Sequence, residues 1–204
     1  MTAQNQLISQ LNLTVSADWS RIRKVYTHVI EKKDAGSFEP TKEPYNATLY
    51  SLGNYGCVVV STSLTEGADW NFWSGKLLES FLPPNILALR DQIQSAGLHF
   101  TNFVYYQHRG SIQEHIDQNK PGDGNDGHCA INFIISANDP NATTVAHTDN
   151  CQESYKSIPG TTWLLNTAVP HRIDNNDFRE VLQIRVLSSY QKTLQFFSEK
   201  NMIA

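Results

Sequence analysis

Apolar residues near the start of this chain recur at helical intervals, whereas further along they fall into short runs of strand character. In "SADWSRIRKVYTHVIEKK" Trp19, Ile22, Val25 and Val29 lie near a 3.6-residue period, with Ser16 or Asp18 where an N-cap is needed. This segment predicts an amphipathic helix packed on a sheet. The two prolines of "SFEPTKEPYNA" predict a loop, and the β-branched and aromatic residues of "TLYSLGNYGCVVVSTSL" predict one or two strands. A second helical region is expected over residues 74–96, interrupted at Pro83 and Pro84, because proline cannot continue a helix interior. Helices are thus expected to cluster in the first half. In the second half "HFTNFVYYQHRG", "CAINFIISA", "TTVAHT", "TTWLLNTAVPH" and "REVLQIRVLSSY" have strand composition. "NKPGDGNDG", "NDPNA", "SIPG" and "DNND" separate them, each a turn by its Gly, Pro, Asn and Asp content.

Many short strands with regular turns argue for a sandwich or barrel. The expected fold is mainly β with N-terminal helices, around a double-stranded β-helix core of jelly-roll or cupin-like type. A chain of 204 residues with 40% hydrophobic content suits one core. We expect a single domain, with residues 1–99 as a helical and strand support region and 100–190 as the catalytic core. A formal net charge of -4 and the lack of a basic run give no pull toward nucleic acid. No segment has the apolar length of a membrane span, and the opening residues lack a signal-peptide layout, so the expectation is a cytoplasmic protein. Cys57, Cys129 and Cys151 are odd in number and share no CxxC spacing, which predicts reduced thiols.

The chemistry enters at "GSIQEHIDQ". Alternation along a strand puts His115 and Asp117 on one side, about 7 Å apart along the chain, where both could grip one ion. A third ligand is then required. His171 is the best candidate, because Trp163, Leu165, Thr167, Val169 and His171 share one face if the alternation persists through "GTTWLLNTAVPH". Two histidines and a carboxylate on one face of an octahedron leave positions open, as in non-haem Fe(II) oxygenases. Structural zinc sites instead close the shell with four protein ligands.

"HID", followed by "WLLNTAVPHRIDNNDFREVLQIRV", resembles the core of the Fe(II)/2-oxoglutarate-dependent dioxygenases. Within them it is most similar to the proline hydroxylase and aspartyl/asparaginyl β-hydroxylase-like group, in which a G-x-x-W-x-L-(N/D)-T segment leads to the distal histidine and then to a basic residue. The resemblance covers residues 100–187. It implies Fe(II) on His115, Asp117 and His171, with Arg179 pairing with the far carboxylate of 2-oxoglutarate through a planar guanidinium fork. Arg185 competes for that role, since it lies six residues further on the same strand face, but Arg179 is preferred as the nearer to the expected metal end. Tyr106 stands where prolyl hydroxylases often place a tyrosine on the cosubstrate; it is equally readable as a strand aromatic. Asn132, inside an apolar strand, is either a cosubstrate contact or a satisfied core amide. Many of these hydroxylases carry an arginine in the strand corresponding to "HCAINFII"; His128 stands nearest to it and is the candidate substrate contact.

The activity so implied is hydroxylation of an unactivated C–H bond of an amino acid or peptidyl residue, proline or Asp/Asn-like, with O2 consumed and succinate and CO2 released. "HTD" at His147 to Asp149 is a rival metal pair, disfavoured because the stretch from Asp149 to His171 leaves room for hardly one intervening strand. "DWNFWSG" and "NKPGDGNDG" are candidate lids. Two other functional classes remain: a cupin-like metalloenzyme that does not use 2-oxoglutarate, and a non-catalytic β-sandwich binding module.

Overall fold

The structure, a computed structural model, describes residues 6–38, 40–43, 47–51, 57–65, 68–117 and 128–204. The chain opens with β1 (Ile8–Leu11), α1 (Trp19–Asp34), β2 (Pro40–Glu43), β3 (Ala47–Ser51), β4 (Cys57–Thr65), β5 (Ala68–Gly75), α2 (Lys76–Glu79) and α3 (Pro84–Ser95). Eight strands follow: β6 (Phe100–Arg109), β7 (Ile112–His115), β8 (Cys129–Ala137), β9 (Thr143–Thr148), β10 (Cys151–Lys156), β11 (Thr162–Asn166), β12 (His171–Asp174) and β13 (Phe178–Val186). Helix α4 (Tyr190–Glu199) comes after them.

These eight strands distribute between two antiparallel layers. β11, β8, β13 and β6 are neighbours in a large layer, which β1 extends at one edge and β5, β4, β3 and β2 at the other. β7, β12, β9 and β10 form the small layer, joined to the large one through the Thr65 and Ile112 pairing. Strands that alternate between layers in this way make a double-stranded β-helix, the expected fold.

The centre of the large layer is buried on both faces, which is why β13 and β8 read as nearly continuous buried runs. On the outer face Leu182, Ile184, Ile131 and Phe133 pack with Ile22 and Val29 of α1, Ile86 and Ile93 of α3, and Phe197 of α4. On the inner face Val181, Val104, Tyr106, Ile134 and Leu165 pack with Ala146, Tyr155 and Ile173 of the small layer. Alternation along β13 sends Arg179, Val181, Gln183 and Arg185 inward and Glu180, Leu182 and Ile184 toward the helices. Glu180 is fully buried there; it accepts from Arg23 of α1 at 2.6 to 3.0 Å and from the Tyr105 hydroxyl. A buried carboxylate must be met in this way, so the pair fixes how α1 sits on the sheet.

Several expectations are corrected. Strand β2 falls in residues 37–47, where a loop was expected, and pairs as an edge hairpin with β3, which lies almost wholly in the expected strand region; Pro40 is tolerated as the first residue of an edge strand. "DWNFWSG" is no lid, because it forms β5, hydrogen-bonded on both sides with Trp70 and Trp73 buried. "TTWLLNTAVPH" is not one strand. It is β11 and β12 in different layers, divided at a turn where the Asn166 side chain accepts from the Ala168 N–H at 3.1 Å. Helices are not confined to the first half, since α4 buries Tyr190, Leu194 and Phe197 at helical spacing behind an N-cap at Ser189. β1 and the largely polar β10 had no counterpart in the expectation. Cys129 and Cys151 are free. The loop "NKPGDGNDG" and the side chain of Cys57 lie outside the described residues. Among those residues, no helix is long and apolar enough to cross a membrane.

Candidate functional site

His115 ends β7 and His171 opens β12, and the two are cross-strand partners with ring centroids 4.3 Å apart. Asp117 lies just beyond β7, where its N–H donates to the Thr167 carbonyl at 3.1 Å and draws this segment against the turn before β12. The donor atoms of His115, Asp117 and His171 all lie within 4.8 Å of one another. Both imidazoles are oriented by the backbone: Nδ1 of His115 meets the Gln113 carbonyl at 2.8 Å and Nδ1 of His171 meets that of Val169 at 2.9 Å. With Nδ1–H donating, Nε2 carries the lone pair a metal requires. Burial pushes His171 below the usual histidine range, only partly offset by Asp117, which favours the neutral ring. Burial would raise Asp117, but Arg185 and the two histidines outweigh it and hold the carboxylate below its ordinary value. Arg185 Nη2 donates to Asp117 Oδ2 at 3.1 Å, while Oδ1 lies 3.7 Å from His115 Nε2.

A cavity runs inward from this cluster, lined among others by Trp70, Phe72, Tyr106, Asn132, Tyr155 and Arg179. Arg179 is 0% exposed, and among the described residues no carboxylate pairs with it. Its Nη2 donates to Thr144 Oγ1 at 3.2 Å and to the Tyr155 hydroxyl at 3.3 Å, whereas Nε and Nη1 have no partner. A buried cation in this condition calls for an anion. Burial pushes the Tyr106 hydroxyl up to about 12, so it stays a phenol able to donate. Asn132 bonds Tyr155 at 3.1 Å and Gln183 at 2.9 Å, so the satisfied amide also faces the cavity.

Of the residues singled out from sequence, His115, Asp117, His171, Arg179, Arg185, Tyr106 and Asn132 all line one cavity. His128 does not line this cavity; it precedes β8, with a buried Nε2 that has no partner among the described residues and with Asp117 near enough to oppose the downward push of burial. His147 does not join them; its Nε2 lies 2.6 Å from Glu114 in an exposed pair. Tyr105 faces the helices. Sequence reading missed Tyr155, Thr144, Gln183 and Trp70. Gln183 was accessible from the two-residue period linking Arg179 to Arg185, but Tyr155 sits in the polar β10, where only the pairing with β9 reveals its inward face.

His108, inward-facing and paired in register with Arg179, is pushed by burial and by Arg179 down to about 3 from an ordinary 6.5. A histidine kept neutral when folded supports stability fully above pH 6.5 and withdraws that support as pH falls toward 3, since the unfolded chain takes the proton first. Between pH 7 and pH 5 wild type should therefore lose about 2 kcal/mol more stability than His108→Gln. Urea denaturation at the two pH values checks this, and parallel losses would show a solvated imidazole.

No family model matches the chain, and no curated protein matches it. Solved structures do. The non-haem α-ketoglutarate-dependent carbocyclase SnoK from nogalamycin biosynthesis is 7% identical, with 91% of this chain and 81% of that one covered at a TM-score of 0.50. EvdMO1 is 12% identical over 90% of this chain and 47% of its own, also at 0.50. A prolyl-4-hydroxylase of Pseudomonas putida is 15% identical over 90% and 93%, at 0.48. At such identities the likeness is one of fold, and the chain is built on the double-stranded β-helix fold that it shares with a non-haem α-ketoglutarate-dependent enzyme.

Proposed function

We propose that this protein is an Fe(II)- and 2-oxoglutarate-dependent dioxygenase that hydroxylates an unactivated C–H bond of a small molecule or peptide. The observation that carries the reading is Arg179, a fully buried guanidinium without a carboxylate partner among the described residues, in the cavity that also holds the His115, Asp117 and His171 cluster. The donor set fits the metal: two imidazoles and one carboxylate, with no sulfur, suit a divalent iron that keeps open positions. The partnerless Nε and Nη1 of Arg179 fit the far carboxylate of a dicarboxylic 2-oxo acid. When bound, iron and 2-oxoglutarate supply the oxidising chemistry with O2, at the expense of decarboxylation to succinate and CO2.

The chain's own residues supply position and dryness. His115, Asp117 and His171 would hold the metal, with Arg185 keeping one Asp117 oxygen occupied so that the other is presented. Arg179, Tyr155 and Thr144 would receive the cosubstrate carboxylate, with Tyr106 and Asn132 beside it. Trp70, Phe72, Leu165 and Ile173 give the cavity apolar walls that exclude water. On the resemblance, His128, outside the cavity lining but coupled electrostatically to Asp117, is assigned to the substrate. Its class is taken as an amino acid or a peptidyl residue, proline or Asp/Asn-like, on the resemblance of "HID" and "WLLNTAVPH" alone.

Anaerobic titration with Fe(II) and then 2-oxoglutarate tests the reading through the visible charge-transfer absorption of the ternary complex. Wild type and His147→Ala should both develop the band. Metal binding without a band would favour a cupin-like metalloenzyme of other chemistry; absence of metal binding would favour a non-catalytic module.

A further inference from the structure

The cavity wall carries an unbroken polar chain. Arg185 donates through Nη2 to Asp117 Oδ2 at 3.1 Å and through Nε to Gln183 Oε1 at 3.0 Å. Gln183 Nε2 donates to Asn132 Oδ1 at 2.9 Å, and Asn132 Nδ2 donates to the Tyr155 hydroxyl at 3.1 Å. From the other side Arg179 Nη2 donates to the same hydroxyl at 3.3 Å. Gln183 and Asn132 are 7% and 2% exposed, so water does not compete for these bonds.

The direction of every bond follows from the two ends, because a guanidinium only donates. The Gln183 atom opposite Arg185 Nε must be its oxygen, so its nitrogen faces Asn132. Asn132 then meets it with oxygen and turns nitrogen toward Tyr155. The Tyr155 oxygen accepts from both neighbours, and its own hydrogen has no acceptor left within the chain of bonds.

We infer that Gln183 is a positioning residue: acting through Asn132, it sets the bond polarity that turns the Tyr155 hydrogen into the cavity, onto the carboxylate that Arg179 anchors. The inference rests on the proposed binding of 2-oxoglutarate at Arg179. It assigns to Gln183, which need not touch the ligand, control over a donor that does. A hydrogen bond to a charged group of this kind is worth roughly tenfold or more in affinity.

Reversing the polarity tests the idea. In Gln183→Glu the side chain offers only acceptors, so Asn132 must turn over, present its oxygen to Tyr155 and take the phenolic hydrogen. Calorimetric titration of 2-oxoglutarate into the Mn(II)-loaded protein should show Gln183→Glu and Tyr155→Phe each weakening binding about tenfold. The double variant should bind no more weakly than Tyr155→Phe alone, and Mn(II) affinity should stay within about twofold of wild type, since neither residue meets the ion. Additive losses would mean that the new charge acts by itself, and an unaffected Tyr155→Phe would mean that the hydrogen does not reach the ligand; either overturns the inference. If Gln183→Glu does not fold, Asn132→Asp poses the same question, because a carboxylate there accepts from both Gln183 and Tyr155. Failure of the parent reading looks different: 2-oxoglutarate would not bind wild type, or would bind Arg179→Met equally well.

Discussion

Replacing Arg179 with methionine is expected to raise the dissociation constant for 2-oxoglutarate by about 100-fold or more while leaving metal affinity close to wild type. Truncating one member of a desolvated, hydrogen-bonded charge pair costs roughly 2–5 kcal/mol, and every 1.4 kcal/mol is about tenfold. Arg179 is fully buried and spends only Nη2 on Thr144 and Tyr155, leaving Nε and Nη1 for a ligand. The ligand-free protein should respond with the opposite sign. Without an anion this guanidinium is an uncompensated buried charge, so Arg179→Met should melt at least as high as wild type when no 2-oxoglutarate is present. Stabilisation by added 2-oxoglutarate should then be lost, because it follows binding to the folded state. Arg179→Lys should fall between, keeping the charge and losing the planar fork. Calorimetry for affinity and thermal denaturation with and without ligand measure both effects. An unchanged dissociation constant would transfer the anchoring role to Arg185.

The sequence made the site more legible than the scaffold around it, for physical reasons. His115 and Asp117 close one segment at the end of β7, His171 opens β12 and Arg179 lies on β13, yet their order along the chain and the strand period restrict where they can meet. Nearness to the metal end was the wrong reason to prefer Arg179, since Arg185 is the one that holds Asp117; burial separates them instead, because Arg179 is sealed in the cavity with no acid among the described residues while Arg185 is partly exposed. His128 was singled out by position alone, and its partnerless Nε2 beside Asp117 appears only in three dimensions. Tyr155 and Thr144 were hidden because β9 and β10 have weakly patterned sequences whose inward face is set by the pairing of β9 with β12 and of β10 with β9. β2 was obscured by Pro40, which propensity assigns to a loop and an edge strand tolerates. α4 was missed although its buried residues keep helical spacing, because it follows directly on the strongly strand-like β13. Turn chemistry divided β11 from β12 and sent them to different layers, and that division brings His171 opposite His115.

Asp117→Ala should separate function from stability more sharply than any other change to this cavity. Loss of a partner that merely orients a metal ligand costs roughly 10–100-fold in metal affinity, so loss of the only carboxylate among the three ligands should cost at least about 100-fold. Turnover should fall below detection with it. The fold should barely notice. The Asp117 and Arg185 side chains are 20% and 39% exposed, and a pair that keeps this access to solvent contributes on the order of 1 kcal/mol. Arg185 can turn toward water once its carboxylate is gone, unlike the sealed Arg179, so no buried charge is stranded. Metal titration followed by fluorescence, beside a thermal melt of the metal-free protein, therefore discriminates two accounts of the same cluster. A large loss of metal affinity with an unchanged melting temperature is expected of a site whose residues are held for an ion. Unchanged metal binding with a lowered melting temperature would identify Asp117 as a structural partner of Arg185, and the ligand assignment would fall with it.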